Sequence, residues 1–512
     1  METFPWWTEA QKKLAQEAKK VVDELMPLAL EYGWKRKYPW PVAKEIAKRG
    51  YYGAIISQKY GGHLEDWGIT GACIIGEEVS RLGAYAADFS NTMSNGGTHQ
   101  LGHAGNEEQR QKWLPRVARG ELHGCITMTE PYVGSDSAAM ETTGVRDGDF
   151  YVVNGKKRFI TNAAAGDLYM TYVRTDDSPE ARAKYRHLTG LIIEKGTPGF
   201  TVERVNELIG LDGMYNAFLN FDNVRVPVAS RLGQEGDGWT IMTGGLNPER
   251  AIIASTVLGR MREALKYAVF HMQRRVQFGQ PTINQQGNQF KLADMVVKLK
   301  TARLLTYYTA YLCDLGQDTP VDSAILKLYN TETLTRSFIM DAIQCMGGDG
   351  VTKFYPVERI MRDAKVLEIA GGTSEIMRLL IYRLGIRAWE DDLVAPRRVM
   401  NKELNVPLPA REGELPKYEA TEDGVVAALA ENYRVNPGLY MTLQELKEQI
   451  PASDEEIAKL AAGLEAKGLA KTHKGRRGNV ELIRPTYEAL SKAHPQDYYK
   501  YIPYWASAED MF

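Results

Sequence analysis

The spacing of apolar residues changes character twice along this chain, and those two changes limit the fold more than any single motif. Up to about residue 120, apolar positions recur at intervals of three and four, as in Val21, Val22, Leu25 and Leu28, which is the repeat of an amphipathic helix. This predicts helices over Ala10–Tyr32, Pro41–Arg49, Ile69–Leu82 and Glu107–Arg119, with a small-residue stretch from Asn91 to Ala104. Tyr60–Gly62 and Gly105–Asn106 supply breakers between them. From about Gly120 to Pro227 the pattern becomes short β-branched and aromatic runs, DFYVVNGKKRFITN, DLYMTYVRT, HLTGLIIEK and FLNFDNVRVP, separated by Gly, Asn and Asp. These runs predict an antiparallel β-domain, with Asn154-Gly155 as a hairpin signal. After Gly238 the helical repeat returns over Ile252–Arg274, Phe290–Leu315, Asp322–Cys345 and Glu358–Arg387.

The expected class is therefore α+β. Residues 1–120 form an N-terminal helical domain, 121–236 a central antiparallel β-barrel domain, and 237–390 a C-terminal four-helix bundle. Residues 391–418 are polar and Pro-containing without a sustained period, a linker by composition. Residues 419–512 offer helices at Asp423–Tyr433, Leu443–Ile450 and Asp454–Lys467, then a hairpin through GLAKTH, KGRRGN and VELIRPT, which suggests a small winged-helix-like extension.

Composition removes several function classes. In 512 residues, 44% hydrophobic and 25% charged content is that of a soluble globular protein. A formal net charge of −2 gives no electrostatic case for nucleic acid or an anionic membrane surface. Cys73, Cys125, Cys313 and Cys345 lie far apart with no C-x-x-C pair, against a disulfide framework or a zinc site. The first residues interleave lysine with acids and lack an apolar core, so they read as an amphipathic helix and not as a leader. No apolar run approaches about eighteen residues, so no membrane insertion is expected. A reducing cytoplasm is the simplest setting.

The most informative string is Gln344–Arg378, QCMGGDGVTKFYPVERIMRDAKVLEIAGGTSEIMR. Glycine pairs at 347–348 and 371–372 flank a helical pattern, and bare backbone there can approach a ligand, although glycine alone more often marks a turn or a helix end. As a whole the string resembles the C-terminal signature of the acyl-CoA dehydrogenase family, flavoenzymes that oxidise acyl-CoA thioesters to 2-enoyl-CoA. Gln344, Gly347, Gly348 and Gly350 match its Q-x-x-G-G-x-G; Tyr355, Pro356, Glu358 and Arg362–Lys365 match its Y-P-x-E-x-x-x-R-D-A-K; Gly372, Thr373 and Ser374 match its G-T-S. Where medium-chain members keep a catalytic glutamate, this chain has Gly371. A base that removes an α-proton needs an ionisable side chain, and glycine has none.

The resemblance covers about residues 5–390 and implies FAD as cofactor. MTEPYVGSDSA is similar to the family's T-E-P-x-x-G-S-D: Thr129 would bond the flavin ring, and Ser135 would sit where flavin pyrophosphate and CoA pass. In NGKKRFITN, Thr161 would bond flavin N5 and Phe159 would face the ring where many members have tryptophan. RRVQFGQPTINQQ is close to R-x-Q-F-G-x-P; it implies that Arg275, Gln277 and Phe278, with Gln344 and Gly348, hold the FAD of a neighbouring subunit. Thr373 joins the cofactor set, and cross-subunit sites imply a homo-oligomer, usually a tetramer. A guanidinium offers paired donors to pyrophosphate oxygens.

GGLNPERAIIAS carries Glu249 beside Arg250. Isovaleryl-CoA and long-chain members resemble this chain at both places, with a glutamate before that arginine and a small residue in the G-T-S loop, so the resemblance makes Glu249 the base. Locally, Asn247-Pro248-Glu249 is also good helix-starting chemistry, with Asn247 as N-cap. Glu375, four residues past Gly371, is a remote second candidate. The implied mechanism has the Gly371 N–H bond the thioester carbonyl, Glu249 take the α-proton and a β-hydride pass to flavin. By the same resemblance Ser135, Asn247, Arg250 and Gly371 would line the acyl-CoA, and electrons would leave to an electron-transferring flavoprotein. A glutaryl-type enzyme would carry an arginine near residue 87, where Ala86, Ala87 and Asp88 stand.

Two rivals remain at this stage. One is another chemistry on the same fold, such as an acyl-CoA oxidase. The other is a DNA-binding regulator using the winged helix, but its would-be recognition helix starts with acids, SDEEIAKL, and only the Lys474, Arg476, Arg477 turn is basic. Phosphate binding needs the opposite balance.

Overall fold

The computed structural model describes residues 3–83, 92, 98–389, 393, 398–401, 406–410, 413–475 and 478–493, so Ala86–Asp88 and Arg476–Arg477 fall outside it. The chain forms two compact units, Met1–Ala388 and Trp389–Phe512. Among the described residues no helix is long and apolar enough to cross a membrane.

The first unit opens with the helix Glu9–Trp34. Its start is fixed reciprocally: Thr8 Oγ1 accepts from the Gln11 N–H at 3.2 Å, and Gln11 Oε1 accepts from the Thr8 N–H at 3.0 Å. Helices Trp40–Lys48, Leu64–Val79, Thr98–Ala104 and Glu107–Ala118 follow. The third breaks at Gly68, and Asp314 from a distant helix caps the resumed segment by accepting from the N–H groups of Ile69 (2.5 Å) and Thr70 (3.1 Å). That break is why the sequence repeat starts at Ile69. One buried core joins Val22, Ile74 and Ile75 of these helices to Leu258, Met295 and Phe338 of the C-terminal bundle. Inside it, fully buried Glu77 accepts from Tyr307 (2.7 Å), Arg262 (3.1 Å) and Arg303 (3.2 Å).

The β-domain has eight strands: β1 Gly124–Thr127, β2 Thr143–Asp147, β3 Phe150–Ile160, β4 Leu168–Arg174, β5 Leu188–Glu194, β6 Phe200–Val205, β7 Ala217–Pro227 and β8 Arg231–Leu232. They run β6-β7-β3-β2-β4-β5-β8, and β1 pairs with β4. The sheet is antiparallel except for the parallel β1–β4 register and one parallel β2–β4 bridge, an arrangement that the long connection from β1 to β4 permits. Asn154-Gly155 is not the hairpin turn that the dipeptide suggests. The β2–β3 turn lies at Gly148–Asp149, between paired Asp147 and Phe150. Gly155 instead sits at a register shift in the β3–β7 pairing, at φ 146°, where a Cβ would come within 2.8 Å of the Thr142 backbone. The dipeptide makes a bulge because close approach, not chain reversal, is what glycine supplies here.

The bundle contains helices Leu246–Met272, Gln286–Asp314, Pro320–Thr333, Ile339–Met346, Val357–Ile369 and Ser374–Leu380. The run expected over Asp322–Cys345 contains a wide turn at Leu334–Phe338. The run expected over Glu358–Arg387 is broken after Ile369, because Gly371 and Gly372 take φ values of +69° and +99°.

In the second unit, residues expected as linker contain a strand pair, Arg398–Asn401 with Val406–Pro409. Helices Glu422–Val435, Leu443–Gln449 and Asp454–Ala466 start at side-chain caps from Thr421, Thr442 and Ser453. Strands Ala470–Lys474 and Val480–Pro485 form the expected hairpin, extended by Met441–Thr442 and followed by a further helix, Tyr487–Ala493. Val425, Leu429, Leu446, Ile457, Leu464 and Ile483 make its core.

Candidate active site

The helix that carries Glu249 starts at Leu246, with right-handed Gly245 in the capping position directly after the helix Gly238–Gly244. Asn247 is therefore inside the helix and is not its N-cap. Its amide nitrogen donates to Asp318 Oδ1 (3.3 Å), and its oxygen accepts from Ser323 (3.2 Å) and Arg250 (3.4 Å). These contacts tie the first turn to the segment that leads into Pro320–Thr333.

Glu249 and Arg250 are 7% and 5% exposed. Burial pulls the Arg250 guanidinium below its ordinary value, and the Glu249 carboxylate partly offsets this. The Tyr172 hydroxyl of β4 is buried and has no hydrogen-bond partner among the described residues; burial first, and then the Glu249 charge, push this phenol well above its ordinary value. A carboxylate, a guanidinium and a phenol thus share one desolvated neighbourhood.

Gly371 meets the same helix face. A Cβ on it would stand 3.1 Å from Ile253 Cδ1, and Ile253 lies one turn beyond Glu249. Among the described residues nothing accepts a hydrogen bond from the Gly371 N–H. Its turn is fastened by Lys327, which donates to the carbonyls of Glu368 (2.9 Å) and Gly372 (2.6 Å). Thr373 caps the next helix, its Oγ1 accepting from the Ile376 N–H at 3.4 Å. Glu375 sits exposed in that helix's first turn, where its own backbone N–H and Thr373 hold its carboxyl below the ordinary value, so it has a capping environment.

The β-domain brings two motifs together. The Arg158 N–H donates to the Thr129 carbonyl at 2.8 Å. Next to it, fully buried Lys157 donates to Glu130 Oε1 (2.8 Å), the Tyr172 carbonyl (2.7 Å) and the Met128 carbonyl (3.2 Å). Phe159 sits at a second register shift of β3 with φ +57° and 47% of its surface exposed. A bulky residue in that conformation is rare and recurs at functional sites. Thr161 follows, half-buried, and Ser135 is exposed on the loop after β1. The Arg158 guanidinium covers Phe159 at 4.3 Å from the ring centre.

Arg275, Gln277, Phe278, Gln344 and Gly348 instead face outward. Phe278, at φ +52°, is 96% exposed at the tip of the hairpin formed by Val276–Gln277 and Gln280–Pro281. His271 Nε2 lies 2.7 Å from Asp349 Oδ2 and ties the helix before this hairpin to the Gly347–Val351 turn.

Lys157, Tyr172 and Lys327 were not picked out from the sequence. Lys327 carried a signal: it lies at helical spacing with Ser323, Ala324, Asn330 and Thr331, all buried, and an amine on an interior face needs a reason. Tyr172 looked like any strand aromatic.

The domain models of the acyl-CoA dehydrogenase family match this chain in order: the N-terminal domain over residues 8–121, the middle domain over 125–224 and the C-terminal domain over 236–385. An acyl-CoA dehydrogenase of Bacillus subtilis (strain 168) is 38% identical over 365 residues, 71% of this chain and 94% of that protein. A mitochondrial isovaleryl-CoA dehydrogenase of Pongo abelii is 35% identical over 382 residues, 73% of this chain and 88% of that one. Among solved structures, butyryl-CoA dehydrogenase from Megasphaera elsdenii superposes with a TM-score of 0.71 at 32% identity, covering 76% of this chain and 100% of its own.

Proposed function

The chain belongs to the acyl-CoA dehydrogenase family of oxidoreductases, and we propose that it dehydrogenates an acyl-CoA thioester with Glu249 as the base. The observation that carries this is the pairing of Glu249 with Gly371. A buried carboxylate lies one turn along the helix from Ile253, the side chain against which the Gly371 turn packs. The residue at the emptied position keeps an uncommitted amide.

The residues present fit FAD, the family's cofactor. The Thr129 carbonyl accepts from the N–H of Arg158, the neighbour of half-exposed Phe159, and Thr161 follows two residues on; Thr129 and Thr161 would supply the hydroxyl groups and Phe159 the apolar face that a flat heteroaromatic ring with a polar rim requires. Ser135 and Thr373 would meet its polar chain. Arg275, Gln277, Phe278, Gln344 and Gly348 would hold the FAD of a second copy, and their outward placement supports a homo-oligomer, proposed as a tetramer. When bound, FAD supplies the acceptor for the electrons that leave the substrate's α,β bond.

Glu249 takes the α-proton on its carboxylate, in a site where burial excludes competing water. The Gly371 N–H donates to the thioester oxygen as negative charge grows there, an interaction stronger in the transition state than in the bound substrate. Arg250 and Asn247 brace the first turn of the base's helix and line the thioester, while Ser135 meets the CoA chain. The proposed electron acceptor is an electron-transferring flavoprotein, the setting cytoplasmic, and the extension at 419–512 a separate domain with no part in the chemistry.

Anaerobic mixing of the FAD-loaded chain with a panel of acyl-CoA thioesters tests the reading. Wild type should bleach the flavin absorbance, and Glu249→Gln should slow this by about 10²–10⁴-fold. A variant with the wild-type rate overturns the assignment, and peroxide release in air would mark an oxidase.

A further inference from the structure

We infer that Lys327 is a positioning residue for this oxidation: its ammonium holds the turn that presents the Gly371 N–H and sets a positive charge at that turn. The inference rests on the proposed function, because it needs the thioester oxygen to sit at Gly371.

The geometry is specific. The two carbonyls that Lys327 Nζ engages, Glu368 at 2.9 Å and Gly372 at 2.6 Å, bracket Gly371 in the chain. The first lies in the last turn of the helix Val357–Ile369, the end that attracts cations. Lys327 itself is fully buried. Fastening two carbonyls does not require a charge, since a neutral amide could donate to both, and burying an ammonium is costly unless its charge is used or compensated. The charged groups that face it are Arg250 and Glu249 from the helix Leu246–Met272, Glu368 from the helix Val357–Ile369, and Glu332 from its own helix. Glu368 and Glu332 are already engaged elsewhere, with Lys365 and Arg336 and with Arg378 and Arg336. Those two carboxylates are shared with other cations, so they offset the Lys327 charge only in part, and it also acts on Glu249 and on the turn at Gly371, the two places where the reaction gains or moves charge.

Burial, and then the neighbouring Arg250, push Lys327 down to about 8. Loss of its proton removes the charge and leaves two N–H groups, enough for the two carbonyls, so kcat should decline as pH rises through about 8 while acyl-CoA binding changes little.

The test uses the full-length, FAD-loaded protein. Lys327→Met keeps the length of the stem without the charge; it should retain FAD and oligomer mass, keep KM near the wild-type value and lower kcat by about 10²-fold, the cost of one oxyanion donor. Its remaining activity should show no decline near pH 8. Lys327→Arg keeps the charge, should recover most of the rate and should move the alkaline decline above about pH 10, since a guanidinium stays protonated. A Met variant with wild-type kcat, or a decline near pH 8 that persists in it, overturns the inference. Should the Met variant fail to fold, the wild-type profile decides: a kcat unchanged across that range rejects the role. Glu249→Gln run alongside separates the two readings. If it keeps its rate, the base assignment has failed; if it is inactive while Lys327→Met is normal, only Lys327 has been misjudged.

Discussion

The two halves of the proposed site differ in how completely one chain builds them. The inner half, with Glu249, Gly371, Thr129, Phe159 and Thr161, rests on internal partners: Lys327 at the Gly371 turn, Lys157 and Glu130 behind the strand edge, and Ser323 and Asp318 beside Asn247. The outer half, with Arg275, Gln277, Phe278, Gln344 and Gly348, is exposed, and one of its residues is a phenylalanine with 96% of its surface bare. Groups that must be aimed to fractions of an ångström at reacting atoms are fixed before anything binds. Groups that only grip a cofactor can wait for a second surface to cover them. An exposed aromatic held at positive φ is costly in isolation and makes sense as half of a contact.

The largest effect should come from breaking the inner half at its most buried point. Lys157→Met removes the cation from a fully buried pair and leaves Glu130 unpaired beside the Thr129 strand edge. The cost should be about 3–5 kcal/mol in urea unfolding, with loss of FAD during purification. The pH dependence sharpens this. Burial raises the Glu130 carboxyl, but the facing Lys157 and the backbone N–H of Glu141 outweigh it and leave its value below the ordinary 4.5. A carboxyl lowered on folding contributes stability that is present above its unfolded value and is lost as pH falls through the folded one. Wild type should therefore lose stability as pH drops below about 4.5, in proportion to this pair. In Lys157→Met, only the N–H groups of Glu141 and Thr142 oppose burial at Glu130, so the variant should be weakest, relative to wild type, on the alkaline side of that value. A wild-type urea midpoint flat across the acid range, or a variant equally stable at neutral pH, would show that the pair does not hold the inner half.

A smaller and different effect is expected outside. His271 and Asp349 tie the two outward segments to each other. Asp349→Asn keeps the shape and removes the charge. It should weaken FAD retention, read by flavin release on dilution, by about tenfold or less, while kcat at saturating FAD and the urea midpoint of the apoprotein stay at wild-type values. A drop in kcat with FAD fully retained would mean that the two halves are coupled, and the contrast between them would fail.

Much of this was legible in the sequence, and the gaps have physical causes. The helix–strand–helix order followed from apolar period alone, whereas the proposed pairing of Glu249 with Gly371 came from resemblance, at the two positions where this chain is similar to isovaleryl-CoA and long-chain members. Asn154-Gly155 misled because a dipeptide reports backbone freedom without saying whether a turn or a bulge uses it; Thr142 packed against Gly155 decides that, and it lies on another segment. Asn247 misled in the same way, since capping chemistry is local while the start of its helix was set by the preceding helix running straight into it. Lys327 and Lys157 stayed hidden because burial is a property of the folded chain, and an interior lysine looks like a surface one until its carbonyl partners are known. Outward residues such as Phe278 were recognisable only by resemblance, because nothing in one chain gives them a partner.

The smallest effect should come from the second unit. Its core is drawn from residues 418–493, and its helices carry their own caps. The core of the first unit runs from Phe4 to Leu367, and the domain-family matches end at residue 385. A chain ending at Ala388 should therefore fold, take up FAD and bleach with acyl-CoA, and its unfolding free energy should change by no more than about 0.5 kcal/mol. This makes the second unit a control on the contrast above, because its removal is expected to leave FAD retention and kcat at wild-type values. If truncation leaves the apoprotein stable but releases FAD as Asp349→Asn does, cofactor retention depends on the extension and the second unit fails as a control.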